Sequence, residues 1–370
     1  RPPAGYIVTV ERWGSRRRRP RGSMRKGEEC KIGVLALVAI GVGGMVGGGI
    51  VAVLGLAVQM AHGGTPVAFA VAGVVALLTT YSYAKLSVAY PSRGGTVTFL
   101  NRTLGAGMLA GSLNVLLWLS YIVMVSLYAF AFGNYGATFL PPAWRALGTH
   151  ALISLSVLLI AALNLLGAEW IGKAENWIVG LKVAILFLFV GVGVASVQTS
   201  RFALSSWSPP LQLAAGGMII FLAYEGFELI ANTAEDVQDV PRTLPRAFYM
   251  AVGFVIVLYV LVSLVTLGNL PVARIVAAKN YALSEAARSF FGQTGFNLIA
   301  VAAMLSTASA INATFYGSAR LSYCIARDRE LPSELERKVW GQPIEGLLIT
   351  AALTLVVANL FDLTSIPTLG

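Results

Sequence analysis

Long, almost wholly apolar stretches alternate with short polar segments along this chain. About 20 apolar residues cross the hydrocarbon core of a bilayer as a helix. On that measure the spans run 32–60, 66–90, 106–133, 151–168, 176–198, 211–233, 247–270, 294–325 and 344–361, and Thr364–Gly370 reads as the opening of a tenth. The pattern predicts an all-α, polytopic membrane protein. Most connections are short. Residues 271–293 form a longer one, with a helix-like piece, Ala282–Phe290, that could cap an outer vestibule. Residues 326–343 form another, dense in charge, the mark of a solvated face.

Within the first span stands Gly41 to Val51, a run holding six glycines. Glycine is the poorest helix former after proline, and a helix in lipid must satisfy its backbone internally, so the run predicts local unwinding beside a polar cavity. Backbone N–H groups freed there, backed by the dipole of the outer half-helix, would seat an anion such as a carboxylate. The plainer alternative is close helix packing, since Gly43-x-x-x-Gly47 and Gly44-x-x-x-Gly48 fit a small-x-x-x-small pattern. A dinucleotide site is excluded, because no strand precedes the glycines and no acidic residue follows at the usual distance.

The sixth span carries a second expected break, Leu222-Ala-Tyr224-Glu225-Gly226. An ionisable side chain at mid-membrane depth marks a polar cavity by default, the alternative being that Glu225 is a protonated or paired structural acid. Glu228, one turn on, reads as structural. Interruptions at corresponding places in two halves point to an inverted-repeat transporter with its substrate held between the broken helices. Lys182 sits in the apolar Trp177–Phe187 stretch, seven residues beyond Glu175 and so roughly 10 Å deep. It could snorkel to the interface. Held instead in a gated, intermittently hydrated cavity, an amine can load and release a proton. Ser306, Thr307 and Ser309 in the eighth span could hydrogen-bond that ammonium or, equally, their own helix.

Composition sharpens this reading. The chain is 56 % hydrophobic and only 12 % charged, outside the soluble range. Its net charge of +10 could suggest nucleic acid, but the placement of the charges argues otherwise. Of the 27 Lys and Arg, only Arg145, Arg201, Arg274, Lys279 and Arg288 fall outside if the amino terminus is cytoplasmic, while Lys182 lies within a span. The rest are inside, so they report topology, not a nucleic-acid surface. Residues 1–23 read as upstream or non-native sequence, with Met24 as the natural start. The two cysteines, Cys30 and Cys324, lie near inner span ends and imply neither a disulfide framework nor a metal site. No phosphate loop or zinc motif occurs, and His62 and His150 fall at outer span ends, as interfacial residues do. Asn101-Arg-Thr103 is a glycosylation triplet on the wrong side of the membrane.

Gly41–Ile50 resembles the first-span signature of the amino acid-polyamine-organocation transporter superfamily. Tyr90-Pro-Ser-Arg-Gly-Gly95 is similar to its motif after the second span. Phe221–Ile230 with Ala234-Glu-Asp-Val and Asp239–Arg246 resembles its sixth-span break and inner loop. Ser318–Tyr323 and Ala326–Pro332 resemble the end of its eighth span. The likeness begins at about Lys31.

The resemblance implies a five-plus-five inverted repeat working by alternating access. On this scheme 1–31 is a basic cytoplasmic tail, 32–198 the first repeat, 199–210 an outer loop and 211–370 an incomplete second repeat, truncated after the ninth span. It implies that a substrate carboxylate meets the Gly47, Gly48 and Gly49 amides, and that its amine meets carbonyls near Met45, Val46, Leu222, Ala223 and Glu225, with Tyr224 and Gly226 of the break counted among the substrate-binding residues. It also implies that a fifth-span lysine, here Lys182, stands where relatives place sodium. Two departures stand out: Val51 where an aromatic is usual, and Glu225 where an apolar or small residue is usual, which favours a cationic substrate or adds a second proton site. The expected function is secondary active amino acid transport across the plasma membrane, proton-coupled and without enzymatic activity or cofactor. A sodium-coupled or exchange-only carrier of amino acids or polyamines, and a non-transporting amino acid sensor, are the alternatives.

Overall fold

In the computed structural model, residues 32–92, 94–105, 107–165, 169–327 and 344–361 are described. The basic tail with Cys30, most of the inner loop 326–343 and the expected tenth-span opening lie outside them. The described residues are helical: α1 Val34–Ala61, α2 Thr65–Ala89, α3 Gly95–Leu104, α4 Met108–Ala137, α5 Arg145–Leu165, α6 Glu169–Gly193, α7 Pro210–Phe221, α8 Val240–Asn269, α9 Val272–Ala277, α10 Ala282–Arg327 and α11 Ile344–Leu360. Among the described residues eight helical segments are long and apolar enough to cross a membrane, the sixth being Pro210–Asp236, and α11 is a shorter apolar helix.

Apolar surface faces outward as well as inward. Leu78, Leu116, Leu158, Phe187 and Val257 are exposed, each on a long helix, as side chains touching lipid would be. The centre belongs to α1, which packs on α7, α8 and α10, while α2 packs on α8 and α4 on α10. Pro210 starts α7, where its missing N–H costs nothing. The helix-like piece expected at 282–290 is the first part of α10, set off by Gly292 at φ 65°.

Both ends of α1 are tied to the flanks of the sixth span. At one end Ile32 N–H donates to Asp236 O at 2.9 Å and Gln238 N–H to Ile32 O at 3.1 Å. At the other, Gly63 N–H donates to Ser206 O at 3.0 Å, beside a bridge between His62 and Trp207. His62 pairs with Ser208 at 3.0 Å and His150 with Asn359 at 3.0 Å, both as structural partners.

Candidate functional site

The sixth span breaks where expected. After α7 the chain tightens through Leu222–Tyr224, runs extended at Glu225 (φ −60°, ψ 148°), turns left-handed at Gly226 (φ 117°) and resumes as a 3-10 helix, Phe227–Asp236. Glu228 Oε2 accepts the Gly226 N–H at 2.7 Å. It thus satisfies a donor that the break releases, which fits the structural role expected of it.

The first span does not break. Helix α1 runs unbroken through Gly41–Val51, which corrects the expected interruption. The glycines serve contact instead, as the packing alternative holds. A side chain at Gly44 would lie 2.8 Å from Gly226 O, at Gly47 2.8 Å from Ala310 Cβ, at Gly48 into the Tyr128 ring and at Gly49 into Ala223 O. Two backbones therefore touch where α1 meets the break, which only glycine on both sides permits. The Gly47–Gly49 amides lie within the helix, so the carboxylate seat is not formed in this conformation.

Two of the carbonyls expected to meet a substrate amine are nonetheless brought together. The Tyr259 hydroxyl, fully buried on α8, lies 2.7 Å from Met45 O and 3.2 Å from Ala223 O. One phenol thereby latches α1 to the sixth-span break. A lone tyrosine in an apolar run gives little warning of this, beyond the rule that a buried phenol seeks a partner. Val46 is buried beside Met45, and Tyr135 reaches across to Val51 O at 3.2 Å. Tyr224 departs from expectation: its hydroxyl donates to Phe69 O at 2.9 Å and its ring packs on Tyr259, so it braces α2 and α8. Removing the latch with Tyr259→Phe takes away the one donor that Met45 O and Ala223 O share. It is expected to destabilise the protein by about 1–3 kcal/mol, read as a lowered melting temperature.

Lys182 does not snorkel. It is 2 % exposed, and its Nζ donates to Gly43 O at 2.9 Å and to Ser309 Oγ at 3.3 Å. The fifth, first and eighth spans thus meet at one ammonium. Thr307 turns back to Ala303 O at 2.8 Å, and Ser306 is buried one turn before Ser309. Of the three hydroxyls, Ser309 is the one brought to the lysine.

Beside the break lies a hollow of about 20 Å³, lined by Gly44, Tyr128, Glu225, Gly226, Glu228 and Thr314 among others. It has room for a single water, far short of a small-molecule site. The described residues lining it include two carboxylates and no lysine or arginine. The Glu225 carboxylate has no hydrogen bond or ion pair among the described residues. A second hollow, toward Gly94 and Arg320, shares Tyr121 and Gly317 with the first. Tyr121, hydrogen-bonded to Asn232, stands between them.

A broken central span, an acid without a side-chain partner at the break and a buried lysine against the facing helix are polar features set inside an apolar helical bundle. An uncharacterized protein of Methanocaldococcus jannaschii is 36 % identical over 91 % of this chain and 78 % of its own. The inner membrane transport protein YbaT of Escherichia coli is 34 % identical over 90 % of this chain and 78 % of its own. The branched-chain amino acid permease BcaP of Bacillus subtilis is 26 % identical over 85 % of this chain and 71 % of its own. The profile of the amino acid permeases matches residues 32–366, and the chain belongs to that family of multi-pass membrane transporters.

Proposed function

We propose that this amino acid transporter is a proton-driven, alternating-access carrier of the plasma membrane, built as a five-plus-five repeat with its amino terminus in the cytoplasm. The observation that carries the coupling is the burial of Lys182 between Gly43 O and Ser309. A charge held on the backbone of the central helix ties its protonation state to the position of that helix. The substrate amine takes the carbonyls of Met45, Val46, Leu222, Ala223 and Glu225, displacing the Tyr259 hydroxyl, which now spans two of them. Its carboxylate reaches the Gly47–Gly49 amides once α1 opens, and the hollow of about 20 Å³ widens with it.

Uptake tests the reading. The chain, reconstituted in liposomes with an alkaline interior, is expected to accumulate labelled amino acid against its gradient. Collapse of the pH gradient should stop accumulation. Accumulation set by sodium would make it a sodium-coupled carrier, and binding without accumulation would make it a sensor.

The uncompensated Glu225 adds a preference. A carboxylate facing a hollow without a cationic side chain among its described lining gains most from a ligand bearing a second positive charge. In competition for uptake, lysine or ornithine is expected to outcompete norleucine. Glu225→Gln should cut that preference about tenfold while leaving norleucine unchanged, since a charge-assisted hydrogen bond to a buried carboxylate contributes about 1.5–3 kcal/mol.

A further inference from the structure

Away from the break, at the rim where α4 ends and α5 and α10 begin, lies a cavity of about 610 Å³. Three arginines line it: Arg145, at the start of α5; Arg274, in α9; and Arg288, in α10. They are three of the five basic residues that the topology places outside. Because basic residues are scarce on that side of a membrane protein, convergence of three on one cavity is not a topology signal.

The charges are not balanced. Glu285 is the one acid in the lining, and it pairs with Arg288 at 3.0 Å, whose guanidinium also stacks on Phe296 at 4.1 Å. Arg145 Nε donates to Leu140 O at 3.2 Å, and neither Arg145 nor Arg274 meets a carboxylate among the described residues. Two forked donors with no counter-charge face a shared space, the arrangement that suits a phosphate oxygen pair. Depth narrows the source. Trp144 is 61 % exposed and Leu147 66 % exposed on either side of Arg145. An exposed tryptophan next to an exposed leucine marks the interface between headgroups and acyl chains. Phosphate groups of lipids sit at that level.

We propose that Arg145 and Arg274 form a phosphate-binding site on the outer rim, with an anionic phospholipid headgroup as the occupant that its depth favours. Such a headgroup bridges the α4–α5 turn and the α9 cap, two parts of the chain far apart in sequence. The proposal is independent of the substrate site.

Native mass spectrometry of the detergent-solubilised chain with added phosphatidylglycerol tests it. The wild type is expected to retain bound lipid, and the double variant Arg145→Gln/Arg274→Gln to retain about tenfold less. Arg102→Gln, on the opposite side of the membrane, should retain as much as the wild type. Arg145→Lys/Arg274→Lys should recover part of the binding, which separates a lost charge from a folding defect. Inorganic phosphate that leaves the lipid in place assigns the site to the headgroup, whereas inorganic phosphate that displaces it assigns the same site to a dissolved phosphate. Equal retention by the wild type and the double glutamine variant, or equal loss in Arg102→Gln, overturns the proposal.

Discussion

Gly226→Ala is expected to abolish transport and lower the melting temperature by several degrees. Gly226 holds φ at 117°, a left-handed conformation that costs an L-residue about 1–2 kcal/mol. Space is short as well. A Cβ there would lie 2.5 Å from Gly44 C and 2.6 Å from Met45 N, both backbone atoms of α1. Neither can yield without moving the central helix, so overpacking adds about 1–3 kcal/mol. Relief by parting the two segments would pull Ala223 O and Met45 O off the Tyr259 hydroxyl they share. The substitution therefore strikes the contact on which the proposed opening and closing depend. Gly253→Ala is the control: it lies in α8, half-buried, with nothing within 4 Å of the added methyl. Uptake and melting of that variant should match the wild type, and a Gly226→Ala protein with normal uptake would remove the break from the transport path.

The sixth-span break was legible because two cues coincide at one place, an acid in an apolar run and a glycine beside it. The first-span glycines show how one residue type supports two readings. Absence of a side chain lowers helix propensity and also lets a second backbone approach. Sequence holds the spacing of Gly44 and Gly48 but not what lies opposite them, and opposite them are Gly226 and the Tyr128 ring. Contact wins here, since an intact helix satisfies the backbone that unwinding would expose. Lys182 declared itself as a charge in an apolar run, yet its partner, a backbone carbonyl of a glycine-rich turn, carries no side-chain signal. Tyr259 was invisible for a related reason. Its partners are Met45 O and Ala223 O, and every residue has a carbonyl.

Substituting Lys182 should separate coupling from substrate binding. In the wild type, its ammonium lies against Gly43 O and Ser309 Oγ. Lys182→Ala removes the charge and leaves the Met45 and Ala223 carbonyls in place. Exchange of labelled for unlabelled amino acid should survive, while accumulation driven by a pH gradient should fall at least about tenfold, the equivalent of about 1.4 kcal/mol of lost coupling. Alanine also leaves a cavity, so Lys182→Met, closer in volume, is the partner variant that separates lost packing from lost charge. Lys182→Arg probes the opposite limit. A guanidinium stays charged at every accessible pH, so it can hold Gly43 O but cannot release a proton. A carrier that must discharge this site to complete its cycle would then bind substrate and stall. The three variants should thus fail to accumulate for two different reasons, the neutral pair because nothing is loaded and the arginine because nothing is released. Should Lys182→Ala keep the pH dependence of the wild type, the proton is carried elsewhere, and Glu225, the unpaired acid at the break, becomes the group to substitute.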